Sequence, residues 1–463
     1  MLTERQQAVL SSLQGKRAAV IGIGLRSGVP LIRFLLQAGC RVVACDRKPR
    51  EELTDVLTAL QGLPIEYQLG ADYLADLQRC QLLFRTPGMR PDVPALLAAA
   101  AAGSQVTSEI ELVFSLAAAP ITGITGSQGK TTTTALIAEI LRADGRRVHL
   151  GGNIGRSLVE EVLGIGETAE IVLELSSFQL LGMRESPHTA LVTNLSPNHL
   201  DYHRSMEEYI SAKANILKHQ TDDALLVLNG DNYLTRQLAA SAPGRIVWFS
   251  RQETVSQGAC LQGDQIVLVE AGRVMPVCGV QELVLPGWHN VENVLAAAAV
   301  AWARGASLAS IRQAVTTFVG VEHRLEFVRE LSGVKYYNDS KATSPASTVA
   351  ALNALPGSVV LVAGGYDKKI PFQSLAEAMQ GKVRALALIG ETADKIAQAV
   401  SSLDHNALAV RKFKSMEEAV LWCRQQAQPG ESVLLSPACA SFDMYKDFEQ
   451  RGRVFKRLVS ELK

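Results

Sequence analysis

The sequence predicts an α/β protein in three segments, each built around a mainly parallel sheet. Three observations lead there. Short apolar runs at 18–21, 42–45, 171–175, 190–194 and 225–228 read as strands, and amphipathic helical patterns lie between them. Glycine-rich turns mark two strand-to-helix passages, "GIGLRSG" after the first of these runs and "GITGSQGKTTT" after a further short apolar run. The same alternation returns after residue 320 in "VKYYNDSKATSPAS", "VVLVAGGYDKK", "RALALIG" and "ESVLLSPACASFD". The expected domains are 1–107, 108–319 and 320–463, in line with the roughly two to four domains that 463 residues allow.

The first segment opens as a βαβ unit. A strand over 18–21 enters a glycine turn, a helix with Leu31, Phe34 and Leu35 on one face follows, and a second strand ends at Asp46. The glycines are spaced Gly22-x-Gly24-x-x-x-Gly28, not GxGxxG. Two readings stay open: a tight turn that binds nothing, or a nucleotide or phosphate pocket completed by Asp46. In the second segment the stretch 245–285 is richer in strand residues and turn glycines and reads as an insertion.

Composition excludes several classes. The 46 basic and 46 acidic residues cancel, which argues against a general nucleic-acid binder with a basic face. Seven scattered cysteines form no CxxC pair, so no disulfide framework is expected and a reducing compartment is favoured. Residues 1–16 are polar and lack a signal-peptide core, and no apolar run reaches the roughly 20 residues of a membrane span. A soluble cytoplasmic protein is expected, with a monomer as its state.

The chemistry gathers in the second segment. In Gly126-Ser127-Gln128-Gly129-Lys130-Thr131-Thr132 the glycines let backbone N–H groups turn onto an anion, and the helix that follows adds its dipole. Lys130 is placed to reach the β- and γ-phosphates of ATP and Thr131 to hold Mg²⁺. The helix presents Leu136, Ile137, Ile140 and Leu141 on one face and stops at Gly145. Ile124 stands where the GxxxxGK[ST] spacing asks for its first glycine. Glu174 ends an apolar strand, where a carboxylate serves Mg²⁺ or else a helix cap or salt bridge. In "TNLSPNHLDYHR", His199 is a metal-ligand candidate with Asp201 to orient it, set against an ordinary surface histidine.

Lys213 is the odd residue. Ser205 and Glu208 have capping-box spacing, which starts a helix at about Met206. Ile210, Lys213 and Leu217 then share a face, as do Tyr209, Lys213 and Ile216. An ammonium on an apolar stripe is costly. It either snorkels to solvent or reacts with CO₂ to give a carbamate that can ligate Mg²⁺.

With the glycine loop, Glu174, "NHLDYH", Lys213, "GWHNVENVLAA", "EHRLE", "NDSKATSP" and "SPACASFDMYKDFEQRG" in this order, the chain resembles the Mur ligase family over essentially its whole length. "NDSKAT" and "SPACASFD…FEQRG" favour the branch that adds D-glutamate to UDP-N-acetylmuramoyl-L-alanine in peptidoglycan precursor synthesis. The DNPR-type motif of the diaminopimelate-adding branch is absent. The resemblance implies a Rossmann-like N-terminal domain, a central P-loop-type ATPase and a Rossmann-like C-terminal domain that closes over the amino acid. It implies ATP and Mg²⁺ as cofactors and an acyl-phosphate intermediate. Residue by residue, it implies Thr131 and Glu174 at one Mg²⁺ and His199 and carbamylated Lys213 at a second, with Lys130, His199 and Lys213 catalytic. Asn290, Asn293, Arg324 and Asp339 join the loop around ATP. Leu25, Arg26, Asp46, Arg47, Lys48, Gly88 and Asn153 line the UDP-substrate path. Lys341, Thr343, Lys368, Ser441 and Phe448 surround D-glutamate. The chain departs from the family's usual residues at Ser127-Gln128, for Thr-Asn, and at Thr86, for the serine of Ser-Pro-Gly. Competing readings are another ATP-dependent amino-acid ligase, such as the L-alanine-adding branch or a folylpolyglutamate synthase, and a non-catalytic ATP-binding scaffold.

Overall fold

Apolar runs buried on both faces read as parallel strands covered by helices, and three sheets form from such runs. A computed structural model describes residues 2–463 except 201, 286, 369 and 404–407. The first sheet holds β1 (Arg17–Ile21), β2 (Arg41–Asp46), β3 (Ile65–Leu69), β4 (Leu82–Arg85) and β5 (Gln105–Thr107) in the order β3-β2-β1-β4-β5, all parallel. Its order reverses between β1 and β4, and a crevice opens at the carboxyl ends of strands at such a switch point.

The central sheet holds β6 (Ile121–Thr125), β7 (Val148–Gly152), β8 (Glu170–Glu174), β9 (Thr189–Val192), β10 (Leu225–Asn229), β11 (Arg245–Ser250), β12 (Gly258–Gln262), β13 (Gln265–Glu270) and β14 (Arg273–Gly279). Their order is β14-β13-β12-β11-β10-β9-β6-β8-β7. The stretch expected as an insertion instead extends this sheet. β12 pairs parallel with β11, and only β13 runs against the other strands, pairing antiparallel with β12 and with the edge strand β14. Gly258 permits that join: its φ is +130°, and a Cβ there would lie 1.9 Å from the Trp248 carbonyl oxygen. Single-sequence periodicity cannot tell a sheet extension from an appended hairpin, because the deciding partner, β11, lies across a turn.

The third sheet holds β15 (Glu326–Leu331), β16 (Val334–Asn338), β17 (Val359–Ala363), β18 (Val383–Leu388), β19 (Ala409–Lys412) and β20 (Ser432–Leu435), ordered β15-β16-β20-β17-β18-β19. Only β15 runs antiparallel to its neighbour. The described residues divide into two compact units, 1–282 with 291–316, and 283–290 with 317–463.

Helix caps follow sequence. Ser205 caps the helix Met206–Lys218, its hydroxyl accepting from the Glu208 N–H at 3.2 Å. The helix Lys130–Ala143 ends before Gly145, which sits at φ +81°. All seven cysteines are buried and free. No helix among the described residues is long and apolar enough to cross a membrane.

Candidate functional site

β6 lies between β8 and β9, so the loop after β6 is flanked by the ends of both. Gly126 adopts φ +144° and Gly129 φ +80°. A Cβ at Gly126 would meet Thr193 Oγ1 at 2.0 Å, and one at Gly129 would meet Asn293 Oδ1 at 2.3 Å, so only glycine fits either position. The segment after β9 pins the loop. The Ser127 N–H donates to the Asn194 carbonyl (2.8 Å) and the Gln128 N–H to Asn194 Oδ1 (2.9 Å), while Thr193 Oγ1 donates to the Gln128 carbonyl (2.6 Å). Ser127 is buried, and its hydroxyl is shared among Tyr209 OH, the Ser196 carbonyl and the Ser196 N–H. Its side chain thus shapes the loop. The N–H groups of the first helical turn, from Lys130 to Thr132, have no intrahelical acceptor by construction and point out of the helix start. Thr131 and Thr132 are buried there. Thr133 Oγ1 donates to Asn293 Oδ1 at 3.2 Å, which brings the helix Trp288–Ala303 against the loop. Asn290 is buried in the same helix but belongs to the second compact unit.

Two ammonium groups meet one carbonyl. Lys130 Nζ donates to the carbonyls of Gly126 (2.9 Å) and Ser127 (3.1 Å). Lys213 Nζ donates to the same Gly126 carbonyl (2.7 Å) and to Thr125 Oγ1 (3.3 Å), 5.0 Å above the Tyr209 ring. Lys213 is only 1 % exposed, so it does not snorkel. Burial, reinforced by nearby Lys130, drives its pKa well below the usual lysine value, although Glu174 pulls the other way. A neutral amine is the form that adds to CO₂, and the carbamate formed would turn a two-cation corner into a cation site.

Glu174 is buried at the end of β8. Its Oε1 accepts from Asn153 Nδ2 at 2.7 Å, and its Oε2 has no hydrogen-bond partner among the described residues. Ser176, not Glu174, caps the helix that follows, and Glu174 makes no ion pair among the described residues. A buried carboxylate oxygen without a partner is costly and suits an absent hard cation. With Thr131, Glu174 and a carbamylated Lys213, the oxygen-rich donor set fits Mg²⁺. His199 is exposed at φ +54°, its ring edge-on to Phe178 at 4.9 Å. Asp201 lies outside the described residues. Sequence reasoning passed over His203, which is buried with Nε2 2.9 Å from Ser177 Oγ, because a second histidine four residues on carries no spacing signal of its own.

A cleft of about 140 Å³ lies at the switch point of the first sheet, lined by Gly22, Arg26, Thr86, Glu109, Asn153 and Ser157 among others. Arg26 donates to the carbonyls of Asn153 and Gly155, both at 2.8 Å. Arg26 and Asn153 therefore come together. Asp46 spends its carboxylate on the Ile23 and Lys48 N–H groups, holding the glycine turn. Leu25, Arg47, Lys48 and Gly88 are exposed and outside the lining. The turn's glycines have packing reasons: a Cβ at Gly22 would lie 2.8 Å from Thr86 Cβ, and one at Gly28 2.5 Å from Ile23 Cα. Glu109, missed in the sequence because it reads as an ordinary first-turn acid, accepts from Ser157 Oγ at 2.5 Å, and burial raises its pKa.

In the second unit, residues after β16, β17 and β20 converge. Asp339 is buried; Oδ2 accepts from Ser436 Oγ (2.7 Å) and Oδ1 from the Leu325 N–H (3.2 Å), and burial lifts its carboxyl to about 7 against the pull of Arg324. Lys368 Nζ donates to the Thr343 carbonyl (3.3 Å), and the Thr343 N–H donates to the Lys341 carbonyl (2.9 Å). Lys341 Nζ lies 6.0 Å from the centroid of the Phe448 ring. Ser441 is buried in the loop after β20. Arg451, quoted in a motif but given no role, ties these loops: it donates to Ser340 Oγ (3.0 Å) and to the carbonyls of Ser340 (2.8 Å), Cys439 (3.1 Å) and Ala440 (3.2 Å).

Three family models match this chain: the Mur ligase MurD-like N-terminal domain over 16–108, the Mur ligase middle domain over 124–301, and the Mur ligase glutamate ligase domain over 323–439. The chain belongs to the Mur ligase family. Among Mur ligase relatives, the UDP-N-acetylmuramoylalanine--D-glutamate ligase of Symbiobacterium thermophilum is 50% identical over 449 residues, 96% of this chain and 98% of that one. The protein of the same name from Acetivibrio thermocellus is 47% identical over 455 residues, 97% of each chain. The solved Mur ligase structures share the fold. UDP-N-acetylmuramate-alanine ligase from Thermotoga maritima matches with TM-score 0.62 at 21% identity, covering 96% of this chain and 100% of its own. MurF ligase from the same organism, solved in complex with ADP, matches with TM-score 0.56 at 16% identity, covering 98% and 97%.

Proposed function

We propose that this chain is the ATP-dependent ligase that joins D-glutamate to UDP-N-acetylmuramoyl-L-alanine, a step of peptidoglycan precursor synthesis. The observation that carries the reading is the corner at the start of the helix Lys130–Ala143, where Lys130 and Lys213 meet on the Gly126 carbonyl and Glu174, with one oxygen unpartnered among the described residues, acts electrostatically on Lys213. Relatives 43–50% identical over nearly the full length carry the D-glutamate ligase name, which supports this branch over the L-alanine-adding one or a folylpolyglutamate synthase. A scaffold without turnover has no use for a buried lysine whose charged form is disfavoured, beside a carboxylate with one oxygen unpartnered among the described residues.

The chemistry follows from the reactants. A carboxylate is a poor electrophile, so its oxygen first attacks the γ-phosphorus of ATP and ADP leaves. The amine of D-glutamate, having lost its ammonium proton, then attacks the acyl carbon, and phosphate departs from the tetrahedral intermediate. In the first step two anions approach each other. Lys130 and the N–H groups at the helix start offset that repulsion and hold the transferring group in line. Mg²⁺, when bound, would supply further charge neutralisation: Thr131 and Glu174 would hold one ion, and His199 with a Lys213 carbamate a second. Thr133 and Asn293 fix the helix that closes the loop's far side. Arg26 and Asn153 orient the acceptor in the cleft. Lys341, Thr343, Lys368, Ser441 and Phe448 receive the amino acid, since a dicarboxylate suits a lysine with hydroxyl donors.

The test is a panel of amino acids offered with ATP, Mg²⁺ and UDP-N-acetylmuramoyl-L-alanine. Phosphate release is expected only when D-glutamate and the acceptor are both present. Equal release with L-alanine, or none with any amino acid, would end this reading.

A further inference from the structure

The loop that carries His199 is tied to the loop after β4 as well as to its own sheet. Tyr202, three residues past His199, has its N–H on the His199 carbonyl (3.1 Å), its hydroxyl on the Pro87 carbonyl (3.2 Å) and its own carbonyl accepting from Arg90 Nη1 (2.9 Å). The Arg90 guanidinium sits 5.6 Å from the centroid of the Tyr202 ring. Its fork also grips Glu208 at 2.6 and 3.0 Å and Asp92 twice at 2.9 Å. Glu208 in turn accepts the Arg204 N–H at 2.7 Å, and so closes the far end of the same loop. Arg85 holds the other side. It donates to the carbonyls of Met89 and Leu181, and Leu181 follows the short helix Ser177–Leu180, whose Phe178 packs against His199.

We propose that Arg90 is a positioning residue that couples the acceptor-side loop 86–92 to the loop bearing His199, so that acceptor binding and nucleotide–metal binding strengthen each other. The inference rests on the functional reading above, in which the acceptor enters beside Thr86 and His199 faces the metal. His199 occupies a left-handed backbone conformation that a non-glycine residue holds only when its surroundings impose it. The Arg90 fork is the strongest of those constraints: four charge-assisted contacts to two carboxylates and one to a carbonyl, on a side chain only 19% exposed. Pairing with Arg90 holds the Glu208 carboxyl down at about 2, so the clamp stays charged across physiological pH. A shift of loop 86–92 toward an acceptor moves the fork, and the fork moves Tyr202 and the turn at His199. Linkage then requires the effect to run both ways.

Calorimetry tests this without turnover. The dissociation constant of UDP-N-acetylmuramoyl-L-alanine is measured with and without Mg²⁺ and a non-hydrolysable ATP analogue, in the wild type, Arg90→Gln, Arg90→Lys and Glu208→Gln. The wild type is expected to show a coupling of about 5- to 150-fold. Arg90→Gln and Glu208→Gln should bring it close to one. Arg90→Lys should fall between, because a lysine keeps the charge but lacks the planar fork. Additive binding in the wild type overturns the proposal. So does a folded Arg90→Gln protein that binds both ligands more weakly with the coupling ratio intact, since that is a merely structural tether. A wild type that binds no acceptor at all overturns the functional reading instead.

Discussion

Lys213 and Arg451 are both about 1% exposed, and neither has a carboxylate in hydrogen-bond contact among the described residues. They behave as opposites. Lys213 makes two bonds, to one carbonyl and one hydroxyl, and its charged form is disfavoured well below the ordinary lysine value. Arg451 makes four bonds, spread over a hydroxyl and three carbonyls, and burial brings it down only to about 10. A guanidinium can be buried charged because its planar fork matches several fixed acceptors at once, whereas an ammonium short of acceptors gives up its proton. Burial therefore makes one cation reactive and turns the other into a strut.

The contrast breaks first at Lys213. Lys213→Ala should lower ligation by at least ~100-fold, the scale of removing one electrostatic stabiliser at a reacting centre. Short carboxylates added to the assay should restore part of it. Lys213→Arg should be equally inactive, since an arginine stays protonated and cannot form a carbamate. Full activity in either variant would mean that the lysine's neutral form has no role.

Arg451→Met tests the strut. It takes the donor from Ser340 Oγ and from the carbonyls of Ser340 and Cys439, while the Ala440 carbonyl keeps the Tyr366 N–H; at roughly 1–3 kcal/mol each the loss of stability should be about 5 kcal/mol. Denaturant midpoints report it, and KM for D-glutamate should rise more than KM for ATP, because the freed loops carry Lys341 and Ser441. Arg451→Lys should rescue little. An unchanged midpoint would show that the loops are held by something else.

How these two residues looked in the sequence differs in an instructive way. Lys213 stood out because helix periodicity put a charge on an apolar stripe, and the structure buries it there. Arg451 had no such signal: it lies on a helix rich in charges, and its acceptors are carbonyls of distant loops, which no residue type announces. The three sheets were legible for the same reason as Lys213, since strand and helix periods are local. Local patterns missed the β11–β12 pairing because periodicity does not choose between strand partners, and the half-buried Glu109 and the Arg90 clamp because each depends on a partner far away in the chain. Of the residues expected on the UDP path, Arg26 and Asn153 share a cleft, whereas Asp46 is spent on backbone N–H groups that shape the turn.

Asp339 sharpens the comparison from the anionic side. Folded, it keeps its proton up to about 7; unfolded, it loses it near the ordinary carboxylate value of about 3.9. Between those values the folded chain binds more protons, so stability falls as pH rises. The contribution is complete below about pH 4 and gone above about pH 7, a loss on the order of 4 kcal/mol. Asp339→Asn should flatten that slope. Parallel pH profiles of the denaturation midpoint in wild type and variant would show that Asp339 ionises normally.

The smallest effect is expected at Gln128, where the chain departs from the family's usual residue. Its N–H donates to Asn194 Oδ1, and its carbonyl accepts from Thr193 Oγ1 and Asn194 Nδ2. These bonds use backbone alone. Gln128→Ala should therefore change stability by less than about 0.5 kcal/mol, the usual range for a surface substitution, and acceptor-dependent ADP formation by less than ~3-fold. Asn194→Ala takes away the side chain that receives and returns those bonds, so it should slow ADP formation well beyond that. If Gln128→Ala proves the more damaging of the two, the loop is shaped by its own side chains and not by the segment after β9.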